Sequence, residues 1–421
     1  PLLLDDSVES CDNNLIVSNG WSREMRIDEC QERLRAVGLD GWLLCDFRFS
    51  NPLARRVLGL PADRFLSRRW FYFIPARGEP RQLVHRIESG ALEGLPGAKT
   101  VYLRYGELED GIRSLISGCG RIAMEYSPRN ANPYISRVDA GTIEVVRSAG
   151  VEVVSSGDLV QWFESRWDDE QWALHLEAAK VTDSAYGKAF GHMAKVVAAG
   201  GEVRETEVQK VILDHFAANG VVTDHPPIVG VGPHSGDPHY APIPGADGVI
   251  RKGDFVLVDL WGRRDHPRGV YSDLTRVAFL GEVVPEPYRT MFDLVARARD
   301  AAIARVRDAF AKGETLQGWQ VDDAARGVIE SAGFGAAFCH RTGHSIGRET
   351  HGNGANMDNL ETREERTVLR RTCFSIEPGV YFPEFGIRSE VNVFVDGEGQ
   401  VHVTGGPLQT EVFALLNPSG W

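Results

Sequence analysis

The rhythm of apolar and polar positions changes near residue 160. Before it, short strand-like runs predominate: GWLLCDF at 41–47, RWFYFIP at 69–75, RQLVHRI at 81–87, TVYLRY at 100–105 and RIAMEY at 121–126. Turns bearing Gly or Pro separate most of them, and helical spacing occupies 108–117 and 134–148. A helix precedes these runs, with Ser22 placed to cap it and an uneven stripe of Met25, Ile27, Cys30, Leu34 and Val37 ahead of Gly38. The alternation predicts a compact α/β domain over 21–163, with residues 1–20 set apart as an N-terminal extension.

Residues 164–421 have a different texture, that of an α+β domain. A long helical pattern runs from Asp168 to about Ala198, and a second from about Glu202 to Asn219, where Gly220 ends it. Strand pairs follow: FVLVDLW at 255–261 with VYSDLTRVAFL at 270–280, and FSIEPGVYF at 374–382 with GIRSEVNVFV at 386–395. Helical segments near 286–311 and 320–332 lie between the pairs, and neither a solenoid-period repeat nor a low-complexity tract interrupts them.

Composition narrows the possible partners. The net charge of −13 argues against nucleic acid, whose phosphate backbone calls for a basic stripe. No apolar run approaches the roughly 20 residues that span a bilayer, so no membrane partner is expected. The first 20 residues are acidic where a secretory signal is basic. Six scattered cysteines without a CxxC pair suggest reduced thiols in a cytoplasmic protein.

Candidate chemistry begins with Asp259, the one charge in a strand whose two faces are both apolar. A buried carboxylate accepts backbone hydrogen bonds, is paired, or coordinates a metal. A Gly-bearing loop from Gly262 to Gly269 would return Asp273 beside it as a hairpin, with Thr275 on the same face as support. Two neighbouring carboxylates repel unless a cation lies between them. Glu377 closes the run FSI before Pro378, and Glu390 shares one strand face with Arg388 and Asn392. The segment HRTGHSIGRETHGNG adds His340, His344 and His351, its glycines favouring irregular backbone over helix, and His239 follows a proline in GDPHYAP. One histidine with four carboxylates makes an oxygen-rich set suited to Mn²⁺ or Co²⁺, with Zn²⁺ or Fe²⁺ as alternatives. Two such ions activate water for amide or ester hydrolysis.

The stretches VLVDLWG, YSDLTRVAF, GHSIG, FSIEPGVYF and IRSEVNVFV resemble, in order, the pita-bread metallopeptidases: prolidase, aminopeptidase P and methionine aminopeptidase. The resemblance implies an α+β pita-bread (creatinase/aminopeptidase) catalytic domain after a creatinase-like N-terminal α/β domain. It implies two divalent ions on Asp259, Asp273, His344, Glu377 and Glu390, with Glu377 also the general base. His351 would contact substrate and the tetrahedral intermediate, His239 the substrate amine, and His340 the pocket, with Arg388, two residues before the last ligand, also counted among the substrate-binding residues. Departures lie in the longer Asp259–Asp273 interval, in Val391 and Asn392 after Glu390, and in GNG after His351.

Hydrolysis of Xaa-Pro bonds in dipeptides or short peptides is therefore expected, by a homodimer acting on a small peptide. A non-peptidase metallohydrolase or lyase on the same fold is the alternative, as is a binding protein without catalysis.

Overall fold

The computed structural model describes residues 23–61 and 64–418. The expected extension over 1–20 and the Ser22 cap lie outside the described residues, as do the Met25 side chain and Cys11. The chain divides into two compact units, one of Pro1–Pro128 with Ile135–Leu159, the other of Arg129–Tyr134 with Val160–Trp421.

In the smaller unit, strands β1 (Gly41–Asp46), β2 (Trp70–Pro75), β3 (Arg81–His85), β4 (Ala98–Tyr102), β5 (Arg121–Met124) and β6 (Glu152–Ser155) form one sheet in the order β4-β3-β2-β1-β5-β6. Helix α1 (Arg23–Ala36) precedes them, and α2 (Pro52–Val57), α3 (Tyr105–Leu115) and α4 (Ala140–Ser148) lie in the connections between them. Helix α4 starts six residues later than the periodicity suggests, because Asp139 caps it by accepting the Thr142 N–H at 2.9 Å. The buried carboxylate of Glu125 accepts from Trp42, Asn51 and Ser156, which ties β1, α2 and β6 together. Strand β6 and helix α2 were not evident in the sequence.

Helix α5 (Gly157–Glu164) leads into the larger unit. There α6 (Asp169–Ala198) opens on a reciprocal cap between Asp168 and Gln171. Helix α7 (Glu205–Ala218) starts three residues later than expected because Val203–Arg204 is β7, a short strand. Strands β8 (Val221–Val222), β9 (Ile228–Val231), β10 (Val249–Ile250), β11 (Phe255–Arg264) and β12 (Tyr271–Phe279) follow, then α8 (Glu286–Lys312) and α9 (Gly318–Ser331). The rest of the chain adds β13 (Ser345–Ile346), β14 (Thr372–Ile376), β15 (Gly379–Tyr381), β16 (Gly386–Arg388), β17 (Val391–Val395), β18 (Val401–Thr404) and β19 (Phe413–Ala414).

Strand β11 is buried on both faces by period-two alternation. Val256, Val258 and Leu260 join a core with α6 and α7, whereas Phe255 and Leu257 join a second core with α8, α9, β14 and β17. Asp259 continues the second row. The two predicted C-terminal strands are each broken in two: β14 pairs with β17 in one sheet, and β15 with β16 in another. Both breaks fall at one level, at Glu377-Pro378 on one chain segment and Ser389-Glu390 on the other. The five described cysteines are free, and no described helix is long and apolar enough to cross a membrane.

Candidate metal centre

The hairpin expected between Asp259 and Asp273 is present. Its register sets Asp259 opposite Thr275 and Trp261 opposite Asp273, so both carboxylates lie on one face, diagonally adjacent. At the break after β14, the Glu377 amide bonds to the Thr342 carbonyl at 2.7 Å. The Glu390 amide bonds to the Thr275 carbonyl at 3.3 Å. Freed from their ladders, the two glutamates turn inward beside the hairpin and the histidine loop. Asp259, Asp273, His344, Glu377 and Glu390 all line one cavity of about 510 Å³, together with His239, His340, His351 and Arg388.

Within it, ligand atoms of Asp273, His344 and Glu390 lie within 4.8 Å of one another. His344 Nε2 stands 3.5 Å from Asp273 Oδ2 and 3.3 Å from Glu377 Oε1. Its Nδ1–H donates to the Ser345 carbonyl at 3.1 Å, which aims Nε2 at the carboxylates. Asp259, next to this trio but not part of it, has its Oδ2 bound by Arg388 Nη2 at 2.5 Å. Ser375 Oγ donates to Glu377 Oε1 at 2.9 Å.

Thr275, opposite Asp259 in the hairpin, donates to Glu390 Oε2 at 2.8 Å. Asn392, one of the departures from the family pattern, accepts the Asp273 N–H at 2.9 Å. Arg388 is fully engaged by Asp259, Thr275, Tyr381 and the Pro238 carbonyl. It braces Asp259 and Thr275, and no donor nitrogen is left without a protein partner.

Crowding shows in the ionisation of these groups. Burial first, then repulsion from the neighbouring carboxylates, pushes Asp259 and Glu390 above the usual carboxylate range. Burial also raises Asp273, against the pull of His344. Burial works to raise Glu377, yet His344 and Arg388 hold it below its ordinary value. Burial would lower His344, but Asp273 and Glu377 hold it up. His351, its ring 4.3 Å from that of His344, is driven down to about 3 by that neighbour and by burial. Burial takes His340 down to about 4. Its Nδ1–H donates to the Arg341 carbonyl, so neutral Nε2 accepts from Tyr381, whose oxygen in turn accepts from Arg388.

Do these residues fit a pair of cations? Asp259 Oδ1 and Glu390 Oε1 are buried carboxylate oxygens without any hydrogen-bond partner. Such orphans are costly unless a cation meets them. With His344 Nε2 aimed at the same space, the donor set fits divalent ions. Sequence reasoning missed Tyr134, Arg341 and Tyr381 as members of the site. Arg341 was visible inside the histidine segment, whereas Tyr134 lies 207 residues from the guanidinium it touches.

The model of metallopeptidase family M24 matches residues 173–397, just over half of the chain. A protein of Mycobacterium tuberculosis named probable dipeptidase PepE is 28% identical over 357 residues, covering 83% of this chain and 87% of that protein. The crystal structure of dipeptidase PepE from Mycobacterium ulcerans superimposes with a TM-score of 0.65 at 24% identity, over 93% of this chain and 98% of that one. A recombinant prolidase from Thermococcus sibiricus gives 0.61 at 20% identity, over 94% and 99%. The fold is the one these structures share, the pita-bread arrangement of creatinase-like proteins.

Proposed function

The chain belongs to metallopeptidase family M24, and on that premise we propose that it is a dinuclear-metal peptidase hydrolysing Xaa-Pro bonds in dipeptides or short peptides. The observation that carries the metal reading is the pair of partnerless buried oxygens on Asp259 and Glu390, beside the Asp273–His344–Glu390 cluster. The dipeptidase and prolidase names of the similar proteins support the substrate class.

Asp259, Asp273, His344, Glu377 and Glu390 would hold the two ions, with Mn²⁺ favoured by four carboxylates and a single imidazole. When bound, such ions polarise a carbonyl and make water acidic enough to act as a nucleophile near neutral pH. Glu377 is the general base: Ser375 fixes its Oε1, and the carboxylate takes the proton of the attacking water. His351, in the cavity wall, donates to the developing oxyanion, and His239 contacts the substrate amine. His340, fixed by Tyr381, shapes the pocket. Arg388 holds Asp259 and Thr275 in place.

A metal-supplemented assay of Xaa-Pro dipeptides, Xaa-Pro-Yaa tripeptides and dipeptides without proline tests the reading. Release from the Xaa-Pro substrates is expected, and no release from any peptide would refute peptidase activity. Elemental analysis should find two ions per chain after Mn²⁺ loading. Glu377→Ala should abolish turnover with the circular dichroism spectrum retained; turnover near the unsubstituted rate would remove Glu377 as base. The same reading includes a cytoplasmic homodimer, which sedimentation velocity tests for its mass.

A further inference from the structure

Buried arginines in this chain come with a counter-ion. Arg55 meets Asp46, Arg299 meets Asp300, Arg326 meets Asp322, Arg366 meets Glu364 and Arg388 meets Asp259. Arg341, only 9% exposed, is the exception. Among the described residues, no carboxylate comes within 4.0 Å of its guanidinium. Its side chain makes one hydrogen bond, from Nη1 to the Tyr134 hydroxyl at 2.7 Å, with the Tyr134 ring centroid 5.7 Å from Cζ. Nε and the second Nη group are neither matched to an acceptor nor sealed from solvent. Both Arg341 and Tyr134 line the cavity that holds the metal-ligating set.

A guanidinium that is largely buried and has no paired anion is unfavourable, because its partial desolvation is not offset by a partner. Its planar fork of N–H donors matches a carboxylate in two parallel bonds. Tyr134 adds to the match. Its oxygen accepts from Arg341, and its own hydroxyl hydrogen remains for a second acceptor. The position is also apt, since Arg341 lies three residues before His344 on the same loop.

We propose that Arg341, with the Tyr134 hydroxyl beside it, forms the subsite for the terminal carboxylate of the substrate, and so selects dipeptides over longer chains. The proposal rests on the peptidase reading. In a dipeptide the terminal carboxylate lies one residue beyond the scissile bond. A longer peptide presents a neutral amide there and leaves the guanidinium uncompensated.

The test compares a Xaa-Pro dipeptide with its C-terminal amide on the metal-loaded protein. Unsubstituted protein should favour the free acid in kcat/KM by about 10- to 100-fold, mostly through KM, as loss of a charged hydrogen bond implies. Arg341→Gln should erase that preference by raising KM for the acid. Arg341→Lys should retain part of it, and Tyr134→Phe should lose a few-fold. Equal use of acid and amide by the unsubstituted protein overturns the proposal, as does an Arg341→Gln loss that falls equally on both.

Binding separates this from a failure of the peptidase reading. A dipeptide analogue with CH₂–NH in place of the scissile amide is titrated calorimetrically, as free acid and as amide. Tighter binding of the acid, lost in Arg341→Gln, keeps the subsite even if no peptide turns over. Equal binding of acid and amide overturns it whatever the turnover.

Discussion

His175 is fully enclosed, its Nδ1 2.8 Å from the Tyr271 carbonyl and its Nε2 2.6 Å from Thr404 Oγ1. Burial takes its pKa from the ordinary 6.5 down to about 4. The unfolded chain therefore takes up a proton before the folded one does. Stability from this residue is fully present above pH 6.5 and is lost as pH falls through 4, up to about 3 kcal/mol in all. Urea midpoints at pH 7 and pH 4.5 should differ accordingly, and the difference should shrink in His175→Asn. At this scale the sequence was a good guide where chemistry conflicts with surroundings. Asp259 announces itself as one charge in an apolar strand, and Glu377 as a charge between FSI and Pro378. Tyr134 and Tyr381 announce nothing, and Arg341 is marked only by its place in the histidine segment, because a tyrosine or arginine fits equally well on any surface. Their roles arise only when folding brings Tyr134 and Arg341 to the cavity wall and Tyr381 against His340 and Arg388.

Periodicity located the long elements well, since α6, α8 and the β11–β12 hairpin bury enough apolar surface for their pattern to dominate. It failed at short ones. Strand β13 has two residues and β15 and β16 three each, too few for any period to show. Pro378-Gly379 marked the strand end after Glu377, whereas the break at Ser389, inside GIRSEVNVFV, carried no such mark. Close approach of backbones sets the geometry there. A Cβ on Gly343 would lie 2.0 Å from the Ser375 carbonyl oxygen, and its neighbour His344 donates its amide to Ser375 Oγ. Gly343→Ala must therefore push the histidine loop off β14. The expected cost is on the order of 1–3 kcal/mol, with weaker metal retention. Thermal melts and the metal content after dialysis read the two effects separately, and an unchanged pair of values would contradict the packing argument.

For the larger unit as a whole, cation binding and folding stability are one equilibrium. Each ion that binds the folded chain alone stabilises it by about 2.7 kcal/mol when present at a hundred times its Kd. Scanning calorimetry should show a higher melting temperature with Mn²⁺ than with a chelator. An identical trace in both would count against the metal centre. The frame that carries the candidate ligands Glu377 and Glu390 is held by other bonds. The Glu377 amide is tied to the histidine loop and the Glu390 amide to β12, each through the backbone and independently of its carboxylate. Side-chain replacement at either position leaves those ties in place. Loss of either carboxylate should therefore cost activity without opening the architecture around it. In hydrogen–deuterium exchange, the same two amides should stay protected in variants that have lost all activity.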